Sequence, residues 1–312
     1  MQVVVLAGGL SPERDVSIRS GRRVAEALRS AAPDWEVLER DIDADLLRDL
    51  TRMKPDCVVP LVHGAAGEDG ALRDVLECLG LAYVGSRPDP SRFAFDKTIA
   101  KAMMSEVATP DSVSLPHSTF RELGAGGVLH ALSGRLGLPM VVKPSRGGSA
   151  LGVSVVREEG ELPAAMVGAF AYGEVALVEQ FIPGIEVAIG VIDTGDGPRA
   201  LPAVEIVPDG GFYDYAARYT AGTTEFYVPA RLTDDLAARA AAAAVDVHAR
   251  LRLRDWSRID FIIDVSGVPW FLEANVAPGM TETSLVPQAL VAAGEDIGTM
   301  MVALVARAMT RV

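Results

Sequence analysis

The stretch from Arg258 to Asn275 carries two runs, Arg258-Ile259-Asp260-Phe261-Ile262-Ile263 and Val268-Pro269-Trp270-Phe271-Leu272-Glu273-Ala274-Asn275, on either side of Ser266-Gly267. Alternating apolar and polar residues around a Ser-Gly pair predict a β-hairpin. With Ser266-Gly267 as a two-residue turn, Asp260 faces Glu273 and Arg258 faces Asn275. Side chains two apart share a face, so these four polar groups project from one side. Ile259, Phe261, Ile263, Trp270, Leu272 and Ala274 then fill the other. Cross-strand β-carbons lie about 4.5–5.5 Å apart, where two carboxylates repel unless a cation intervenes. Two carboxylates and an Asn oxygen suit a hard divalent ion such as Mg²⁺, which keeps water and phosphate oxygens as its other ligands. The plainer reading is a solvated face on which Arg258 pairs both acids.

Over residues 1–88 short β-branched runs alternate with helical ones. Strands are expected at Val3–Leu6, Val37–Leu38, Cys57–Leu61 and Ala82–Val84. Helices are expected with Ile18, Val24, Ala25 and Leu28 on one face, and over Leu46–Met53 and Leu72–Leu79. That alternation predicts an open, mainly parallel sheet flanked by helices. Ligands of such sheets gather at the carboxyl ends of the strands, here Gly8–Asp15 and His63–Gly70. A Pro-rich break at Ser86–Pro90 closes this block. The expected division is three α/β domains: 1–88, 89–178 and 179–312. The second opens with a helix over Asp96–Val107; the third holds an irregular loop from Gly210 to Pro229, an Ala-rich helix and the hairpin.

Composition narrows the function. With 42 acidic against 29 basic residues and a net charge of −13, the chain is no sequence-independent nucleic-acid binder, which needs a surplus of Lys and Arg. No polybasic block or basic amphipathic helix points to a membrane surface. Apolar stretches such as Ile297–Ala306 fall short of the ~20 residues a bilayer requires. Met1 to Gly9 reads as a first strand and not a signal peptide. Cys57 and Cys78 stand in apolar surroundings and are expected as buried free thiols, which points to the cytoplasm. Only four basic residues are lysines, Lys54, Lys97, Lys101 and Lys143, so an ammonium is of use at some of them.

Lys143 ends a strand and opens a glycine-bearing loop, Lys143-Pro144-Ser145-Arg146-Gly147-Gly148-Ser149-Ala150-Leu151-Gly152. Such a loop brings backbone N–H groups to phosphate oxygens beside a lysine point charge. The Walker and GxGxxG patterns are absent from the chain. The loop from Gly8 offers Glu13 at a helix start, the next offers His63 among small residues, and Pro278–Ser284 supplies backbone and hydroxyl donors.

These stretches, in this order, resemble the D-alanine–D-alanine ligases of the ATP-grasp superfamily nearly end to end. The resemblance rests on Gly8–Ser17, His63-Gly64 with Gly67-Glu68-Asp69-Gly70, Phe95-Asp96-Lys97, Val142–Ser145, Val178-Glu179 with Glu186, Gly211–Tyr215, Arg258–Asp260, Leu272–Asn275, and Pro278–Thr281 with Ser284–Pro287. It implies an ATP-grasp α/β fold: an N-terminal open, mainly parallel sheet followed by two domains clasping ATP. Lys97, Lys143, Glu179, Phe181, Ile182 and Glu186 would bind the nucleotide, with Glu179 at the adenine amine and Glu186 at the ribose. Asp260, Glu273 and Asn275 would hold two Mg²⁺ ions, with Mn²⁺ able to substitute. Glu13, linked to Ser149 and Tyr219, would take the ammonium of the first D-alanine, with His63 near its carboxylate. Arg258 and the Gly279 N–H would stabilise the oxyanion. Arg218, Ser284 and Leu285 would line the second amino-acid subsite. The implied reaction makes D-alanyl-D-alanine through an acyl phosphate for peptidoglycan, in a cytoplasmic homodimer.

Three positions depart from the family pattern. Arg218 stands where these ligases often carry Lys, and Gly147 and Ala150 replace a Glu and a Ser of the phosphate loop. Tyr219 is retained where ligases that accept D-lactate usually carry Phe, which favours an amine acceptor. The departures motivate an alternative, a ligase of the same mechanism with another D-amino acid in one subsite. A catalytically silent sensor of ATP or amino acids is the reading from a different class.

Overall fold

The computed structural model describes residues 1–220 and 222–311, with every side chain among them except those of Ala216 and Tyr219. In the first sheet β1 (Gln2–Leu6), β2 (Glu36–Arg40) and β3 (Cys57–Pro60) pair in the order β2-β1-β3, all parallel. Tyr83 adds a single parallel bridge to Val58 in place of a short fourth strand. Helix α1 (Arg14–Ala31) lays Val24, Ala25 and Leu28 on Val3, Val5 and Val59. Gly21 brings that helix close: a Cβ there would lie 2.5 Å from that of Ala7. The opposite face is covered by α2 (Leu46–Met53) and α4 (Ala71–Cys78), through Leu46, Leu50, Leu72 and Leu76, with the short α3 (Ala65–Glu68) leading into α4. Cys57 is buried as expected, but Cys78 is exposed, because it falls on the solvent side of α4; both are free thiols.

The Pro-rich segment begins a helix, α5 (Pro88–Phe95), since proline at a first turn lacks only an N–H that has no helical partner. Helix α6 (Lys97–Ala102) follows, capped by Asp96, whose Oδ1 accepts from Thr98 N (3.1 Å) and Ile99 N (3.3 Å). It ends well before Val107, the expected limit.

The second sheet is antiparallel, with β4 (Ser112–Pro116), β5 (Met140–Pro144), β6 (Ser154–Val156) and β7 (Val175–Gln180) in the order β4-β7-β5-β6. Helices α7 (His117–Leu123), α8 (Ala125–Leu136) and α9 (Leu162–Phe170) close its core through Phe120, Leu132, Leu136, Met166 and Ala169. A boundary at 178/179 would cut β7. The chain changes sheet between Gln180 and Gly184.

The third sheet runs β11-β10-β8-β12-β13, with β9 on the side of β8, all antiparallel. Its strands are β8 (Gly184–Ile192), β9 (Arg199–Ala200), β10 (Val204–Pro208), β11 (Thr224–Tyr227), β12 (Trp256–Asp264) and β13 (Pro269–Asn275). Between them lie α10 (Tyr215–Tyr219) and the Ala-rich α11 (Asp234–Arg250), which packs Ala240, Ala244 and Val247 on Val187, Ile189 and Phe261. Helices α12 (Leu285–Ala292) and α13 (Ile297–Met309) follow. Helix α13 returns to the first sheet, where Met300, Met301, Leu304 and Val305 share one core with Val3, Leu28 and Val59. Among the described residues no single helix is long and apolar enough to cross a membrane.

The hairpin differs from the expected one in a way that matters. Gly267 N donates to Asp264 O and Asp264 N to Val268 O, so the loop holds three residues, Val265, Ser266 and Gly267. Gly267 takes the left-handed conformation (φ +79°) that such a loop demands. Near the turn the pairs are therefore Ile263 with Pro269 and Phe261 with Phe271. A bulge at Leu272 then restores Asp260 opposite Glu273 and Arg258 opposite Asn275. The polar face is as expected, whereas Phe271 and not Trp270 or Leu272 fills the core. Leu272 is turned to the other side.

Candidate active site

The polar hairpin face carries its charges as pairs. Arg258 donates from Nε to Asp260 Oδ1 (2.8 Å) and from Nη2 to Oδ2 (2.7 Å). Lys97, at the first turn of α6, lies 3.2 Å from Glu273 Oε2 and donates to Gly147 O at 2.7 Å. Burial works against the Glu273 carboxylate, but Lys97, Arg218, Lys143 and Arg258 hold it well below the usual range. Burial would likewise lower Arg258, and Asp260 overrides it. Asn275 Oδ1 accepts from Ala277 N at 2.9 Å. Arg258 thus pairs Asp260 and Lys97 pairs Glu273, where the plainer sequence reading had Arg258 pairing both acids. Among the described residues no cluster of three or more His, Cys, Asp or Glu is arranged as a metal cage.

A cleft of about 190 Å³ opens between the second and third sheets. Its walls include Lys97, Lys143, Glu179, Phe181, Ile182, Glu186, Asp260 and Leu272. Lys143 and Glu179 share a face of neighbouring strands, because Glu179 stands opposite Val141. Glu179 is buried between two ammonium groups, ion-paired to Lys143 and, at 3.0 Å, to Lys101. Burial would raise its carboxyl, but these lysines hold it below the ordinary value. Burial in turn brings Lys101 down to about 8. Glu186 is pushed up to about 7 by burial, against the pull of Arg218.

A second, larger cleft of about 740 Å³ lies toward the first sheet. Glu13 precedes α1 at its rim and accepts a hydrogen bond from Ser149 Oγ. His63 is buried with Nε2 3.2 Å from Ser20 Oγ; burial lowers it to about 4, so its ring is neutral. Glu68 joins the wall, raised to about 8 by burial and the nearby Glu13, and its Oε1 accepts from Gly64 N at 2.8 Å. On the far wall are Arg258, Asn275, Gly279, Ser284 and Leu285, with Ser284 Oγ accepting from Thr281 N at 3.0 Å. The two clefts meet at Lys97, Gly147, Gly148, Tyr213, Arg218 and Glu273, which line both. The Arg218 guanidinium lies 4.3 Å over the Tyr213 ring.

Every residue to which the resemblance gives a role lines one cleft or both, apart from Tyr219, whose side chain falls outside the described residues. Residues 107–306 match the family model described as D-ala D-ala ligase C-terminus. A D-alanine–D-alanine ligase of Bordetella petrii is 39% identical over 313 residues, spanning 100% of this chain and 93% of the relative. The chain belongs to the D-alanine–D-alanine ligase family. Among solved structures, the D-Ala:D-Ser ligase VanG of Enterococcus faecalis superposes with a TM-score of 0.85 at 26% identity, covering 98% of this chain and 99% of that one. The D-alanine–D-alanine ligase of Bacillus anthracis complexed with ATP gives 0.81 at 26% identity, covering 99% and 98%. The fold is accordingly the ATP-grasp fold of these ligases. In this member of the ligase family, sequence reasoning missed Lys101 and Glu68 as parts of the site. Lys101 carried a signal, its place in the small lysine set; Glu68 stood unremarked inside a quoted motif.

Proposed function

We propose that this protein joins two molecules of D-alanine into D-alanyl-D-alanine at the expense of ATP, through an acyl phosphate, in making peptidoglycan precursor. The observation that carries this reading is the junction of the two clefts, where Lys97 and Arg218 face both. A phosphoryl group leaving a nucleotide in the smaller cleft can reach a carboxylate in the larger one without crossing water.

In this reading Lys143 and Lys97 hold phosphates, Glu179 and the Phe181-Ile182 segment the adenine, and Glu186 the ribose. The Glu13 carboxylate takes the ammonium of the first D-alanine, and neutral His63 adds no charge beside its carboxylate. That carboxylate attacks the γ-phosphorus and ADP departs. The amine of the second D-alanine, held by Ser284 and Leu285, attacks the acyl carbon and phosphate leaves. Arg258 and the Gly279 N–H face the oxygen on which charge develops, a largely electrostatic form of catalysis. Arg218 stands at the phosphoryl crossing. The segments 147–152 and 210–229 would close over the site, since water would hydrolyse the acyl phosphate.

The hairpin donors fit a divalent ion: Asp260, Glu273 and Asn275 each offer oxygen, on one face, with the two acids directly opposed. When bound there, Mg²⁺ would neutralise phosphate charge during transfer. Three domains, with the second boundary moved to 181–183, a homodimer and a cytoplasmic location belong to the same reading; the homodimer rests on the family alone, the location also on the two free thiols.

The test is phosphate release from ATP and Mg²⁺ with D-alanine, other D-amino acids and D-lactate, with products identified by mass. D-alanyl-D-alanine is the expected main product, and Arg258→Ala should abolish turnover while leaving ATP binding. A different dipeptide as sole product would reassign the second subsite. ATP binding without turnover on any of these would sink the enzyme reading.

A further inference from the structure

Two polar side chains on one face of α1, Ser20 and Arg23, grip a loop far along the sequence, and no step of the proposed reaction uses them. Ser20 is fully buried. Its Oγ accepts from Met280 N at 3.0 Å and lies 3.2 Å from His63 Nε2. Arg23, one turn further along α1, donates to Thr281 O at 2.5 Å and to Met280 O at 3.3 Å. Residues directly after Gly279 are therefore tied to α1 and, through Ser20, to His63 in the loop after β3. The tie extends to Ser284, whose Oγ accepts from Thr281 N and lies 2.8 Å from Thr281 Oγ1.

We propose that Ser20 and Arg23 are positioning residues that set the Gly279 N–H and the Ser284 hydroxyl at the acceptor subsite. The inference rests on the reaction proposed above. Helix α1 then acts as a ruler between the two amino-acid sites. Glu13, its N-cap, stands at the first, and Ser20 and Arg23 hold the second. Met280 is fully buried, so its N–H left without the Ser20 oxygen would be an unsatisfied donor, and the tie is strong where it is made. Small displacements of an oxyanion donor are costly to rate. An acyl phosphate kept waiting for its amine is open to attack by water at the acyl carbon, which returns the free amino acid and phosphate.

Ser20→Ala and Arg23→Met are assayed beside the wild type for phosphate released and dipeptide formed from D-alanine, ATP and Mg²⁺. Both variants should raise KM for the second D-alanine about tenfold and lower the rate of dipeptide formation. Phosphate released per dipeptide should climb clearly above the wild-type ratio, while KM for ATP and for the first D-alanine stays within about twofold. Variants with an unchanged ratio and unchanged acceptor KM overturn the proposal. So does a uniform loss in which affinity for ATP and both amino acids falls together, the signature of a general structural role. Arg23 is only half-buried, so its variant keeps the test decisive if Ser20→Ala does not fold. A wild type that makes no dipeptide overturns the reaction and this inference together; an active wild type with unaffected variants overturns the inference alone.

Discussion

Glu68 has its carboxyl shut away from water, hydrogen-bonded to Gly64 N, with Glu13 across the cleft and Arg73 and Arg258 as weaker counterweights. Its value in the folded protein, about 8, lies above the ordinary 4.5. Between those pH values the folded state keeps a proton that the unfolded chain has lost. The stability this group contributes is complete at low pH and drains away as pH rises toward 8. Glu68→Gln can keep the Gly64 hydrogen bond and cannot ionise. Near pH 5 it should match the wild type, and above that its relative stability should grow by up to about 1.4 kcal/mol per pH unit, levelling off near pH 8. Urea denaturation at several pH values measures this, and a difference independent of pH would refute it. Such a residue is hard to read from a sequence, since a Glu in a short polar loop gives no sign of burial. Lys97 and Lys143 were legible because this chain otherwise uses arginine. Ser20 was hidden for the opposite reason, a small polar residue on a helix face that pattern alone assigns to packing.

At the scale of elements, the hairpin contains two irregularities that cancel at the site. A three-residue loop displaces the register by one, and the bulge at Leu272 displaces it back, so Asp260 meets Glu273. Alternation shows where the carboxylates must meet but cannot locate a bulge, because Phe271 and Leu272 are both apolar and either suits the core. The bulge also places Leu272 in the smaller cleft, beside Glu273. The loop end of this arrangement depends on Gly267. A Cβ there would lie 2.5 Å from Leu236 Cδ2, in a left-handed conformation that branched residues resist. Gly267→Val should cost about 1–3 kcal/mol of stability. Thermal melts check this, and a variant as stable as the wild type would show that the loop adopts another form.

For the molecule as a whole, the three sheets are not three separate packages. The alternation of strands and helices over residues 1–88 was enough to foresee a parallel sheet. It could not show that one helix covering that sheet comes from residues 297–309, because nothing local in an apolar helix names its partner. Leu304 is fully buried in that shared core. Leu304→Ala should cost about 2–5 kcal/mol, a range set by how far the cavity collapses. If α13 ties the first sheet to the third, the variant will still melt in one transition; loss of the first sheet ahead of the rest would contradict that. The same return of α13 bears on synthesis. Once residues 1–88 have left the ribosome, α2 and α4 can cover one face of the first sheet but α1 covers only part of the other, and the rest of that face stays greasy until α13 clears the exit tunnel. The nascent chain therefore cannot complete its regions one after another in order of translation. Until then, chaperones have a reason to attend to its beginning.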